Sequence, residues 1–352
     1  MMKKVLILST PVGALSSGIG GGVELTIYNL IQEMQGRGHI IKVIAPKGSF
    51  FDHADIIEIE GNLHTPAQTQ SRQTPVIMPD NSVLANMLDY AYQIQSEYDV
   101  IVNFAFDWLP FYLTPFFSTA IAHFISMGSL SDSLDQIMGK IATRFPYQFG
   151  VYTKSQADTF PFADKCQCLG SGIDLSLYQF QPQPKKQLAW LGRIAPEKAL
   201  EDAVKASEIT NIPLLIFGKI QDQEYWQTIQ NQHPSAPIKY QGFLSTKDLQ
   251  AQLRDCLGLI MTPRWVEAFG NVAIEALACG VPVISYARGG PAEIVTDGKT
   301  GFLVTPDSVE DLAIAIQRLP EINRYDCRQV AEDVYSLTAW GNRFESWLDS
   351  FI

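Results

Sequence analysis

The sequence predicts an α/β chain of two domains, each a parallel sheet flanked by helices, on three observations. The chain opens β-α-β: the apolar run Val5 to Leu8, a glycine-rich loop, an amphipathic helix ended by Gly36-Arg37-Gly38-His39, and a second apolar run up to Ala45-Pro46. Residues 257–284, LGLIMTPRWVEAFGNVAIEALACGVPVI, read again as strand, loop, helix, strand. Finally, 352 residues with 46% hydrophobic content suit two cores better than one.

Taken in order, the first element requires a choice. Two lysines before an apolar run resemble a leader peptide, but Val5 to Leu8 is too short for one, and the Pro and Gly that follow suit a strand ending in a loop. Gly18 and Gly20 to Gly22 let the backbone approach a ligand at a helix start, or simply make a tight turn. No acidic residue ends strand two, which argues against a dinucleotide. His64 to Asp80 is polar, holds three prolines and is expected as an exposed connection.

Asp99 to Phe104 reads as a buried parallel strand delivering Asn103 and the aromatics Phe104, Phe106 and Trp108 to the carboxyl edge of the sheet, where such folds bind ligands. Asp107 either caps the next helix or faces a ligand at that edge. Leu109 to Ile125 approaches membrane-span length but contains two prolines, Ser, Thr and His, and reads as helix, turn and strand. Its strand, Ile121 to Ile125, carries His123 towards the same edge, ahead of Ser126 and Met127. A lone histidine after apolar residues is usually a satisfied core residue.

The polar, proline-rich QFQPQPKK places an interdomain linker between Gly170 and Lys186, so the domains run 1–170 and 171–336. Leu188 to Leu191 opens the second, followed by Gly192-Arg193 and then Lys198. Two cations five apart around a proline turn suit a diphosphate, with solvated surface charges as the alternative. Within residues 257–284, Glu267 precedes the helix, while Glu275 lies in its buried Ala-rich interior and needs donors. Phe269, Gly270, Asn271 and Val272 offer backbone N–H groups at the helix start, a seat for phosphate. Glu267 alone reads equally as a complement to the helix dipole. From Leu337, the residues Trp340, Phe344, Trp347, Leu348 and Phe351 form one apolar helix face.

Charge narrows the function. With 26 basic and 37 acidic residues the net charge is -11, a poor match for nucleic acid or anionic lipid. Five scattered cysteines, with Cys166 and Cys168 as a lone C-x-C, fit reduced thiols in the cytoplasm and no metal cluster.

Glu267 and Glu275 with seven residues between them, and FGN one residue after the first, resemble the signature of the retaining family 4 glycosyltransferases. TPVGALSSGIGGGVELT, NFAFDWLPFYLTPFF, HFISMGSLS and GRIAPEKALEDA extend the likeness, most closely to the pteridine glycosyltransferases of cyanobacteria. The resemblance implies a GT-B fold of two facing Rossmann-like domains with parallel sheets, the last helix, 337–352, crossing back onto the first. It implies transfer of a hexose, glucose or a relative, from a UDP-sugar to a pteridine such as tetrahydrobiopterin, with a sugar, lipid or other small-molecule acceptor, a nucleotide-sugar epimerase or a non-catalytic UDP-sugar binder as the alternatives. It further implies that His123 and Glu267 hold the sugar, that Arg193 and Lys198 clamp the diphosphate in place of a metal, and that Glu275 meets the ribose. Gly21 and Gly22 then lie over the phosphates, Phe243 in Tyr240-Gln241-Gly242-Phe243 meets the base, and Phe269 to Val272 complete the donor seat. Asn103, Phe106, Asp107, Trp108, Ser126 and Met127 are expected at the acceptor, with no metal, no cofactor beyond the UDP-sugar and no membrane insertion.

Overall fold

The computed structural model describes residues 2–17 and 21–352. The chain forms two compact units, Met1–Gly172 with Trp340–Ile352, and Ile173–Ala339. In the first unit the elements run β1 (Lys4–Leu8), α1 (Gly22–Gly36), β2 (Ile40–Pro46), β3 (Asp55–Ile59), α2 (Val83–Ile94), β4 (Val100–Asn103), α3 (Trp108–Leu113), β5 (Ile121–Phe124), α4 (Asp132–Arg144), β6 (Phe149–Val151), α5 (Lys154–Ala157) and β7 (Cys166–Cys168).

Its seven strands are all parallel in the order β3-β2-β1-β4-β5-β6-β7. The central strands VIVN, IAHF and FGV are buried at every residue because helices cover both faces, so they show no alternation. Leu84, Met87 and Leu88 of α2 pack on Leu6, Leu8 and Ile101, while Leu134, Met138 and Ile141 of α4 pack with Phe149 and Val151. Each cluster of this size supplies several times the ~2 kcal/mol of a single buried side chain.

The second unit runs β8 (Leu188–Leu191), α6 (Leu200–Thr210), β9 (Leu214–Phe217), α7 (Gln223–Gln232), β10 (Ile238–Gly242), α8 (Thr246–Leu253), β11 (Gly258–Met261), α9 (Asn271–Ala278), β12 (Val283–Tyr286), α10 (Pro291–Ile294), β13 (Gly301–Val304), α11 (Val309–Arg318) and α12 (Arg324–Tyr335). Its parallel strands are ordered β10-β9-β8-β11-β12-β13. Counted within the unit this is 3-2-1-4-5-6, the Rossmann order, and the first unit repeats it with one added strand. In both, the order reverses between the first and fourth strands, where the carboxyl ends open a crevice for ligands.

The chain passes between units at Gly172/Ile173, and the proline-rich stretch is not a free linker. Phe180 packs on Tyr325 with ring centres 4.6 Å apart and fills the space beside Gly280, and Arg324 donates to the Gln181 carbonyl at 2.7 Å. Polarity and proline content hid one aromatic anchor. The last helix, α13 (Leu337–Asp349), joins the first unit from Trp340, with Trp340, Phe344, Trp347 and Leu348 buried. There Trp347 Nε1 donates to the Tyr147 carbonyl at 2.6 Å, and Arg343 Nε to that of Leu169 at 2.8 Å. Among the described residues no helix is long and apolar enough to cross a membrane.

Candidate functional site

At the switch point of the second unit, the ends of β8 and β11 are tied together by Thr262. Its Oγ1 accepts from Trp190 Nε1 at 3.2 Å and lies 2.9 and 2.8 Å from the carbonyls of Lys198 and Ala199. Ala199 is left-handed, at φ 45°, and turns the chain into α6. This fixes the backbone of Lys198, whose ammonium donates to Glu267 Oε2 and sits 5.0 Å from the centre of the Trp265 ring. Trp265 Nε1 donates to the same oxygen at 2.9 Å. Burial works to raise the Glu267 carboxyl; the Lys198 charge and hydrogen bond, the Trp265 N–H and the Arg193 charge outweigh it and hold it below its ordinary value. Glu267 is therefore an ionised acceptor, cradled by two donors and still 18% exposed.

Behind Glu267, α9 (capped at Gly270, φ 100°) has no side-chain cap; the Ala273 N–H donates to the Gly270 carbonyl at 2.9 Å, and the N–H groups ahead of it, at Asn271 and Val272, are the ones a helix start presents to an anion. A Cβ on Gly290 would lie 2.3 Å from the Phe269 carbonyl oxygen, and one on Gly289 2.7 Å from the Glu267 nitrogen. Segment 267–270 thus rests directly on 289–290, and Gly290 N–H donates to the Glu267 carbonyl at 2.7 Å. Inside α9, burial pushes the Glu275 carboxyl up to about 7, partly offset by the hydrogen bond from Tyr178. Near neutral pH it both donates and accepts. Phe269 points into the core against Tyr335, and Asn271 and Val272 are half-buried at the helix start.

Arg193 is held by Glu197 at 3.0 Å and by Gln221, so its guanidinium is oriented yet 39% exposed. Phe243, 68% exposed after β10, carries the Lys219 ammonium 4.7 Å from its ring centre and presents a flat aromatic surface. The sequence reading missed what aims this loop. Arg264 grips both oxygens of buried Asp202 at 3.0 and 2.9 Å and pairs with Glu201, while Tyr286 Oη donates to Asp202 at 2.7 Å. Arg264 stands between Thr262 and Glu267, and its three-residue spacing from Glu267 was the only available signal.

In the first unit Gly21 takes φ 59° at the start of α1 and Gly22 opens that helix, while Gly18 and Gly20 lie outside the described residues. Two of the expected site residues lie inside the fold. His123 is fully buried on β5: Asn103 Nδ2 donates to its Nδ1 at 3.1 Å, and Nε2–H donates to Thr114 Oγ1 at 2.9 Å. Phe111 and Phe149 lie against its ring, and burial pushes it down to about 3, so it is neutral. Both ring nitrogens are hydrogen-bonded inside the fold. Asn103 is likewise 1% exposed, bonded to His123 and to the backbone of Ala105, and shapes the turn after β4.

Ser126 and Met127 are half-buried, with the Met127 carbonyl accepting from Gln156 at 2.9 Å. Phe106, Asp107 and Trp108 do come together, as one wall of a pocket of about 260 Å³ closed by the stretch from His64 to Pro79 and by Leu130 to Leu134. The segment read as a simple connection is thus half of a pocket. Asp107 caps α3, its Oδ1 accepting from Leu109 N–H at 3.3 Å, and the residue also lines the cavity. Trp108 is braced by stacking on Tyr112 at 4.6 Å. Among the described residues no three His, Cys, Asp or Glu side chains gather as a metal site.

Comparison with known proteins adds the following. Residues 179–333 match the family Glycosyl transferases group 1. A D-inositol 3-phosphate glycosyltransferase of Mycobacteroides abscessus is 31% identical over 229 residues, 57% of this chain and 50% of that protein. A 2-deoxystreptamine N-acetyl-D-glucosaminyltransferase of Niallia circulans is 34% identical over 138 residues, 37% and 34% of the two chains. The alignments thus span half or less of these curated relatives. Anabaena HepE (Alr3699), solved in complex with UDP and glucose, superposes with a TM-score of 0.78 at 18% identity, covering 99% of this chain and 100% of that one. At that identity the likeness is one of fold, and the fold shared is GT-B. The matched residues 179–333 fall within the second unit, Ile173–Ala339.

Proposed function

We propose that this chain is a UDP-sugar-dependent, retaining hexosyltransferase, with glucose as the sugar and a pteridine such as tetrahydrobiopterin as the acceptor. The observation that carries the transferase reading is the cluster at the β8/β11 switch point. An ionised Glu267 held by Lys198 and Trp265, an uncapped α9 N-terminus and a half-ionised Glu275 offer a sugar hydroxyl acceptor, an anion seat and a ribose partner within one segment. The family match over this region and the UDP and glucose held by the Anabaena neighbour point the same way.

In this reading the diphosphate lies against the α9 N-terminus, Arg193 and Lys198, and the bond between the anomeric carbon and the β-phosphate oxygen breaks as their charges stabilise the leaving group. The acceptor hydroxyl attacks from the same face, forms the new C–O bond and passes its proton to the departing phosphate, so configuration is retained. Glu267 orients the sugar and forms no bond to it. Cationic side chains take the electrostatic part that a divalent ion plays elsewhere, and turnover proceeds in EDTA.

For the acceptor, the support is the pocket beside Phe106, Asp107 and Trp108. A pterin is flat, and its 2-amino-4-oxo edge presents two parallel N–H donors to a carboxylate. The test is incubation with UDP-glucose and tetrahydrobiopterin, with and without excess EDTA, read by mass spectrometry, with the anomeric linkage read by NMR. A glucosylated pterin in α linkage is expected under both conditions. UDP-glucose turnover with the pterin untouched overturns the acceptor, an altered free sugar nucleotide overturns the transferase, and loss of activity in EDTA with rescue by Mg²⁺ overturns the metal-independent step.

A further inference from the structure

His64 is buried and bridges two helix caps. Its Nδ1 lies 2.8 Å from Asp107 Oδ2 and its Nε2 2.7 Å from Ser82 Oγ. Asp107 caps α3 through Leu109, and Ser82 caps α2 by accepting from Ala85 N–H at 3.1 Å. The His64 N–H is itself bonded to the Pro11 carbonyl at 3.0 Å, just past β1, so the ring is anchored to the sheet edge.

The donors and acceptors around the ring fit one tautomer beside the Asp107 carboxylate. A carboxylate has only lone pairs to offer, so Nδ1 carries the hydrogen and donates it; Nε2 then accepts the Ser82 hydroxyl hydrogen, and Ser82 Oγ still accepts from Ala85. The other tautomer sets the Nδ1 lone pair against the carboxylate.

Asp107 also faces the 260 Å³ pocket, and no Lys, Arg or Glu is among the described residues lining it. Among the described lining residues the one fixed charge is therefore that carboxylate, on walls that mix apolar and aromatic side chains with hydroxyls, one amide and His64. Such a wall repels phosphate and carboxylate ligands and favours a neutral or cationic ring that brings N–H donors.

We infer that His64 is a positioning residue for acceptor recognition: its Nδ1–H fixes the Asp107 carboxylate towards the pocket, which thereby takes uncharged planar N–H donor rings and rejects anionic acceptors. The inference rests on the pteridine reading above and adds to it the residue that aims the recognising group and the charge class that is excluded.

His64→Asn and His64→Gln separate the two hydrogen bonds. The shorter Asn amide puts its NH₂ where Nδ1 stands and keeps the bond to Asp107, whereas the longer Gln amide reaches the Ser82 side and loses it. Binding of biopterin and of UDP is measured by calorimetry on each purified full chain, with pterin KM and kcat alongside. His64→Asn is expected to bind biopterin within about threefold of wild type and His64→Gln roughly tenfold more weakly, the loss of about 1.4 kcal/mol falling in KM and not in kcat, with UDP affinity unchanged in both. Equal biopterin affinity in wild type and His64→Gln, or equal loss in both variants, overturns the positioning role while leaving the pteridine reading intact. A wild-type chain that binds UDP but not biopterin overturns that reading, and the inference with it.

Discussion

Lys198 and Glu267, 69 positions apart in the chain, form one ion pair at the carboxyl ends of β8 and β11. The pair can be tested from either side. Lys198→Ala removes a positive charge from the leaving diphosphate and leaves Glu267 with Trp265 alone. Turnover of UDP-sugar is expected to fall about a hundredfold, near 3 kcal/mol, as for loss of a single preorganised donor. Stability falls less, since both side chains retain some solvent contact. Adding Glu267→Gln to Lys198→Ala is expected to recover melting temperature and no activity. Recovery of turnover in the double variant would show that the lysine serves only to neutralise the glutamate.

The support beneath Glu267 is steric. A methyl group on Gly290 would stand 2.3 Å from the Phe269 carbonyl oxygen and 2.5 Å from its Cα, both backbone atoms that cannot turn aside. Gly290→Ala is therefore expected to push segment 267–270 off its seat, costing about 1–3 kcal/mol of stability and weakening UDP affinity, measured by melting and by calorimetry. An Ala variant with wild-type UDP affinity would show that the α9 N-terminus does not hold the diphosphate.

Much of this was legible in residues 257–284, because a strand, an αL glycine and an Ala-rich helix in succession leave little freedom for where Glu267 and Glu275 stand. The parallel sheets were legible for a similar reason: apart from Asn103 and His123, the residues of VIVN, IAHF and LLIF are apolar, as expected of strands covered on both faces. That same uniformity leaves the depth of His123 unmarked in the sequence. A strand with no exposed face gives no sign of which residues reach a ligand, and the structure buries this one completely. Residues 64–79 lack any period, so their packing against Phe106 and Trp108 left no mark on the sequence. Arg264 is bound to Glu201 and Asp202, more than sixty positions away, and only the fold brings them together.

Glu275 gives the protein a pH dependence of definite sign. Its folded carboxyl, raised by burial to about 7 from an ordinary 4.5, binds a proton that the unfolded chain releases earlier. Below pH 4.5 both states are protonated and the residue costs nothing. Between 4.5 and about 7 the unfolded state ionises first, so stability declines as pH rises, by an amount on the order of 3 kcal/mol, and levels off above. Glu275→Gln lacks this term. The melting temperature of the variant minus that of wild type is expected to climb from pH 5 to pH 7.5, and a flat difference would show that Glu275 is ionised throughout. Hydroxyl donors from a bound ribose favour the carboxylate, so UDP binding at pH 7 is expected to release a fraction of a proton in wild type and none in the variant, read from calorimetry in buffers of different ionisation enthalpy.

Asp107→Asn separates charge from structure in the acceptor pocket. Asp107 accepts from Leu109 N–H through Oδ1 and from His64 through Oδ2, whereas asparagine has one oxygen. If that oxygen keeps the α3 cap, the new NH₂ points at His64 Nδ1, and the ring accommodates it by moving its hydrogen to Nε2. Ser82 Oγ then accepts from both His64 and Ala85, which its two lone pairs allow. Asparagine caps helices as well as aspartate does, so the variant is expected to fold with a stability within about 1 kcal/mol of wild type. What is lost is the pocket's negative charge. Pterin KM is expected to rise roughly tenfold, at the lower end of the 1.5–3 kcal/mol typical of a charged hydrogen bond, while the KM for UDP-sugar holds. A pterin bearing a phosphate on its side chain, repelled by the wild-type carboxylate, should lose affinity less than the neutral pterin or gain it. An Asp107→Asn chain that glucosylates pterin with unchanged KM would reduce the residue to a helix cap, and the recognising carboxylate would have to be sought elsewhere.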